Sequence, residues 1–256
     1  MRAPRNLTME TVPRTVLLQL PTIPGTGMDL SITNEVVLLW ASAGATFLLL
    51  LLAFRRRDAV PRGPVRNFFE AAVEYIDRNV VREGLGEEGR GWGPFLLSLF
   101  FFILFANLMG VLPFPHHVKA MTSNLNVTAA LAVMVFILTI VVRVRHSGAV
   151  GFLKQFVPPG LPLWITVAVI PIEVVSWLAR PFSLAVRLFA NMFVGHTLIL
   201  TFTGLTVGVG WLLKPLPLAG AVVMSVFEVF ICFVQAFVFT LLAGLYIKDA
   251  LDGAHA

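Results

Sequence analysis

The chain has 256 residues, of which 57% are hydrophobic and only 13% charged. A soluble domain carries about 45–50% apolar and about 25% charged residues, so a single soluble core is excluded and a bilayer becomes the expected solvent. The net charge of +5 lies beside apolar blocks, not on a polar domain with interleaved aromatics, which argues against a nucleic-acid partner.

Residues 1–32 read as an external N-terminal tail. Its arginines come early, but Pro13, Pro21 and Pro24 break the apolar stretch that a cleavable signal peptide needs. The first span, near residues 34–54, supplies about the 20 apolar residues that cross hydrocarbon. It stops at Arg55, Arg56 and Arg57, the densest basic cluster in the chain. That side is expected to be cytoplasmic, with the N-terminus outside. Residues 65–82 keep helical apolar spacing interrupted by Glu70, Glu74, Asp77 and Arg78. They predict an amphipathic helix on the membrane surface or against a partner. A Gly-rich loop follows over 83–93. Its Gly84–Gly89 match to a dinucleotide fingerprint is discounted, because no strand precedes it and two acids would repel a pyrophosphate.

Further spans are expected near 94–112 and 126–142, the latter ending at Arg143 and Arg145. The block 162–207 is about twice as long as a spanning helix at ~1.5 Å per residue. It must be strongly tilted or bent, and Pro171 and Pro181 are possible kink sites. A last span near 216–247 leads to a cytoplasmic tail over 251–256. The expected fold class is an all-α polytopic membrane protein with about five spans and one surface helix. Residues 33–250 are expected to form one membrane domain without internal repeats.

Charged and amide groups inside the last two blocks carry the functional signal. A charge at mid-bilayer costs at least ~2.5–3.5 kcal/mol, so such residues face a bundle interior or a wet cavity. Glu173, Ser176, Arg180, Ser183, Arg187 and Asn191 recur at intervals of three and four and share one helical face. Arg180, near one end, suits either this stripe or a snorkelling position at the interface. Arg187 has apolar flanks on both sides and cannot lose its proton, so it is a fixed cation that favours an ionised carboxylate nearby. His196 lies about 180° round the helix from Arg187. It suits either a structural hydrogen bond or proton relay.

On the last block, Ser225, Glu228, Cys232 and Gln235 share another face. Glu228 is its only acid. An acid and an imidazole are suitable relay groups. Gln235 is placed to reach Arg187 if the helices meet. Cys232 is the only cysteine. This excludes an intramolecular disulfide or a cysteine metal cluster, and a buried inert thiol is expected.

The stretches RPFSLAVRLFANMFVGHTL (180–198) and EVFICFVQAFVFTLLAGLYI (228–247) resemble the C-terminal signature of the a subunits of F-type ATP synthases. FFFILFANLMGVLP (100–113) and TSNLNVT (122–128) are similar to earlier segments of the same family. The resemblance covers about residues 33–250. It implies a proton-translocating stator in a bacterial inner membrane, partnered by a rotor ring of c subunits, peripheral-stalk b subunits and, indirectly, a soluble catalytic head. It implies that the last two helices are long and tilted against the rotor, and that Arg187 faces the rotor carboxylates. Asn191, His196, Glu228 and Gln235 would line an external half-channel, and Glu173 and Ser176 would lie near a cytoplasmic one. The family frequently has an acid where this chain has Asn124. His116 and His117 in the preceding loop are either substitutes for it or, as exposed loop histidines more often are, incidental. No cofactor or metal is implied, and with no Walker A sequence the chain is expected to have no catalytic site of its own. The rival readings are a stand-alone secondary transporter, whose internal repeats are missing here, and a scaffold whose polar residues only join helices.

Overall fold

The computed structural model describes residues 16–18, 32–55, 64–86, 89–111, 121–157 and 162–252. Six α-helices dominate them. α1 spans Asn34–Arg55, α2 Pro64–Ile76, α3 Gly93–Val111, α4 Leu125–Lys154, α5 Leu163–Gly208 and α6 Pro215–Asp252. Helices suit an apolar solvent because each satisfies its own backbone polar groups. α3, α4, α5 and α6 are long and apolar enough to cross a membrane, and α1 contributes the shorter apolar stretch Val36–Leu52. The protein is an all-α polytopic membrane protein.

One small element lies where the sequence predicted only a tail. β1 (Val16–Leu18) pairs antiparallel with β2 (Ile32–Thr33), immediately before α1. With five paired residues at most, this is a local closure of the chain, not a sheet in the layered sense.

α3 is the centre of the packing. Leu96, Phe100, Phe101 and Ile103 on it are fully buried. Phe100 meets Phe233 of α6 edge-on at 5.7 Å, and Phe69 of α2 packs over Phe101 at 6.1 Å. The amphipathic segment differs from a single regular helix over 65–82. It is α-helical to Ile76 and then widens into a π-helical segment over Asp77–Leu85. The wider turn brings Val80, Val81 and Leu85 together on a buried face. Leu85 and Val80 press on Gly244 of α6, where an added Cβ would meet them at 3.0 and 3.3 Å. Of the expected Gly-rich loop, Arg90–Trp92 forms a 3-10 turn leading into α3.

α4 also outruns its predicted end. The charges at Arg143 and Arg145 end the apolar stretch but not the helix, which needs no apolar residues once it leaves hydrocarbon. It breaks at Gly148, with φ 70° and ψ 171°. The following turn lays Phe152 and Phe156 against Trp177 of α5, at 5.6 and 5.7 Å, beside Phe136 at 4.3 Å. α5 continues as helix through Pro171 and Pro181. Its 46 residues make about 69 Å against a hydrocarbon layer of about 30 Å, so it crosses the layer steeply tilted or reaches well beyond it. The tail expected from residue 251 is partly helical, since α6 runs to Asp252.

Gly86, at φ 75° and ψ −164°, shares the conformation of Gly148. Side chains strain this region by about 1–3 kcal/mol. Gly86→Ala and Gly148→Ala are each predicted to lower stability by about that amount. Thermal unfolding in mild detergent checks this, and unchanged midpoints for both variants would contradict it.

Candidate functional site

α5 and α6 run antiparallel, and their register decides which polar groups meet. Arg180 meets Asp249, Asn191 meets Gln235, Gly195 meets Glu228 and Phe202 meets Gly220. Leu184, Leu188 and Met192 are the buried apolar ridge of α5 at this contact. Their spacing of four residues is the ridge along which helices interlock.

The predicted stripe on α5 splits across this ridge. Ser176, Ser183 and Arg187 are exposed on the outer surface, whereas Glu173, Arg180 and Asn191 are half-buried. Arg187 lies close to the midpoint of α5 and among exposed apolar side chains such as Phe182 and Phe193. It therefore presents a fixed cation outward from the middle of a greasy helix. Glu173 and Ser176 lie several turns nearer the N-terminus of the same helix.

Gln235 does not serve Arg187. Its Oε1 accepts a hydrogen bond from Asn191 Nδ2 at 2.8 Å. Asn191 stands one turn beyond Arg187, and its short amide reaches α6 at the level that the register sets. Gln235 is 3% exposed, and its Nε2 is buried without a partner. Two turns earlier on α6, Glu228 is 2% exposed, and neither carboxylate oxygen has a hydrogen-bond partner. It is thus not hydrogen-bonded to His196. The residue of α5 against it is Gly195, the immediate neighbour of His196, which is itself half-buried. Cys232 lies fully buried between Glu228 and Gln235 on the same face, as a free thiol.

Arg180 is ion-paired, at the C-terminal end of α6. It donates to Asp249 Oδ2 at 2.6 Å and lies 5.5 Å from the centre of the Tyr246 ring. Arg143 of α4 donates to the backbone carbonyl of Asp249 at 2.9 Å. Two arginines thus bind three helices together around one aspartate. Asn124 caps α4, its side-chain oxygen accepting from the Asn126 amide at 3.0 Å. His116 and His117 lie outside the described residues. Among the described residues, no group of three His, Cys, Asp or Glu side chains is placed to hold a metal ion.

Sequence reasoning missed Asp249, Tyr246 and Gly195. Tyr246 and Asp249 are three apart near the end of α6, a spacing that puts them on one face, but only the fold shows that Arg180 is opposite. Nothing in the sequence distinguishes Gly195 from the other glycines. Asn107 of α3 was also missed: it is fully buried, with both amide atoms unpartnered.

Asn191→Leu is predicted to cost about 1–3 kcal/mol, because it orphans the whole buried Gln235 amide. The double change Asn191→Leu/Gln235→Leu is predicted to cost less than the single one, since two apolar side chains leave nothing unpaired. Chemical unfolding in detergent micelles measures both; a double variant less stable than Asn191→Leu would contradict the pairing.

Comparison with known proteins bears on these residues as a set. The ATP synthase A chain family matches residues 36–248. An ATP synthase subunit a from Mesorhizobium japonicum is 40% identical over 235 residues, covering 90% of this chain and 91% of that protein. One from Magnetococcus marinus is 40% identical over 230 residues, covering 88% and 86%. The Rhodospirillum rubrum protein of the same name is 38% identical over 227 residues, covering 88% and 91%. With the match running over residues 36–248, from within α1 to within α6, and taking in Arg187, Asn191, Glu228 and Gln235, the chain belongs to the ATP synthase A chain family.

Proposed function

We propose that this chain is the proton-translocating stator of a rotary ATP synthase, and that Arg187 faces the carboxylates of a rotor ring. The observation that carries the reading is the exposed guanidinium near the midpoint of α5, flanked by apolar side chains. A fixed charge in that setting is expensive unless an anion comes to it. A rotor of c subunits, each with one acid at mid-membrane, supplies such an anion in turn.

Two offset aqueous half-channels would reach the ring from opposite sides. Glu228, with His196, Asn191 and Gln235, belongs to the external one; Glu173 and Ser176 belong to the cytoplasmic one. The carboxyl of Glu228 passes a proton towards the rotor acid, which becomes neutral and can turn into lipid. After nearly a full turn that acid loses its proton to the other channel. Arg187 stabilises the ionised form between the two events and blocks direct leakage past the rotor. The membrane potential supplies about 2.3 kcal/mol per charge per 100 mV.

The chain performs no bond chemistry, and other subunits handle nucleotide. Its partners are the c ring, the peripheral-stalk b subunits and, through them, the soluble head. The basic cluster after α1 supports a bacterial inner-membrane orientation with the N-terminus outside and the C-terminus in the cytoplasm. Asn124, fixed as the cap of α4, marks the external end of that helix near the proton entrance.

Arg187→Ala is predicted to abolish proton-driven ATP synthesis while the protein still inserts. Growth on a non-fermentable carbon source tests it, and normal growth would defeat the assignment. Glu228→Gln is predicted to slow passive proton flow through vesicles that contain the rotor; unchanged flow would remove Glu228 from the pathway.

A further inference from the structure

Three glycines lie on α5 beyond Arg187. An added Cβ at Gly204 or Gly208 meets nothing within 4 Å. At Gly195 it would meet Glu228 Oε1 at 2.6 Å, Cδ at 2.8 Å and Cγ at 3.1 Å. Gly195 lies within the regular helix, and its backbone does not adopt positive φ. Alanine would favour the helix by about 1 kcal/mol. Backbone conformation therefore does not call for glycine at this position; the space occupied by the Glu228 carboxyl does.

We infer that Gly195 is a positioning residue for Glu228: the missing side chain is the seat into which the carboxyl fits against α5. The inference rests on the proposed role of Glu228 in proton passage. A methyl group at position 195 conflicts with Cγ as well as with the carboxyl, so rotation of the carboxyl alone does not relieve it. The side chain is 2% exposed, and its carboxyl is the flexible end of the contact, so it gives way rather than the α5 backbone. It must move away from α5, the helix that carries Arg187, Asn191 and His196. Proton transfer needs heavy atoms within about 2.6–3.2 Å, directly or through one water, so a shift of a few tenths of an ångström or more weakens the hand-over. Seat and acid should then be complementary in size. Shortening the acid by one methylene makes room for the methyl.

The test uses the whole synthase, reconstituted in vesicles, with passive proton flux and ATP-driven acidification as readouts. Gly195→Ala is expected to reduce flux about tenfold, with Glu228→Asp intermediate. The double variant Gly195→Ala/Glu228→Asp is expected to conduct at least as well as Glu228→Asp alone. Gly204→Ala, the same change at an open position of the same helix, is expected to conduct normally. Unchanged flux in Gly195→Ala overturns the inference, and so does a double variant whose losses simply multiply. If Gly195→Ala does not assemble, recovery of assembly by Glu228→Asp supports the fit and failure to recover overturns it. Glu228→Gln separates the two levels: normal flux there removes the functional reading itself, whereas slowed flux with a neutral Gly195→Ala removes only the seat.

Discussion

The antiparallel contact between α5 and α6 is the constraint on which the site depends. In an apolar solvent a buried polar group that its own helix does not satisfy must find a partner on a neighbouring helix, so the register of two helices decides the chemistry between them. Here the register is held at one end by Arg180 on Asp249 and at the other by the ring of Phe202 over Gly220. Between these anchors Asn191 is brought to Gln235 and Gly195 to Glu228. A one-residue slip would rotate each of these groups by about 100° and separate all the pairs together. The hydroxyls of Thr197, Thr201 and Thr203 stay out of this arrangement, because each returns to a carbonyl of its own helix.

Burial divides the two charged centres. Glu228 lies inside the contact, and Arg187 lies on its outer rim. A carboxyl can be buried because it can exist as a neutral acid, whereas a guanidinium keeps its charge wherever it is. The side chain that can shed its charge occupies the buried contact, and the one that cannot is left facing whatever lies beyond the helix. This division follows from solvation alone.

Composition and apolar block length made the helical membrane class legible, because a bilayer imposes a length on every element that crosses it. Helical periodicity likewise made the two polar faces legible. Periodicity gives angles about one axis and nothing about the offset between two axes. Periodicity therefore allows Gln235 to reach Arg187, whereas the structure has it on Asn191, and it cannot show that Asp249 stands beside Arg180. The end of α4 was missed for a different reason: charges at Arg143 and Arg145 limit what can lie in hydrocarbon, not what can be helical. Gly195 was invisible because its meaning lies in a side chain 33 residues away in the chain.

Arg180 and Arg187 lie on the same helix with different surroundings. Seven residues separate it from Arg187, about 10 Å along the helix axis. With α5 tilted to fit its length of about 69 Å into about 30 Å of hydrocarbon, the two arginines differ by about 5 Å in depth, and with α5 upright by about 10 Å. In either case Arg180 shares its surroundings, through Asp249, with Arg143, whose charge ends the apolar stretch of α4. A second uncompensated cation so near the first would raise the cost of inserting α5 and would compete for any anion drawn to Arg187. Asp249 removes that competition by neutralising Arg180 locally, with the Tyr246 ring against the guanidinium. Arg187 is then left as the exposed cation near the midpoint of α5.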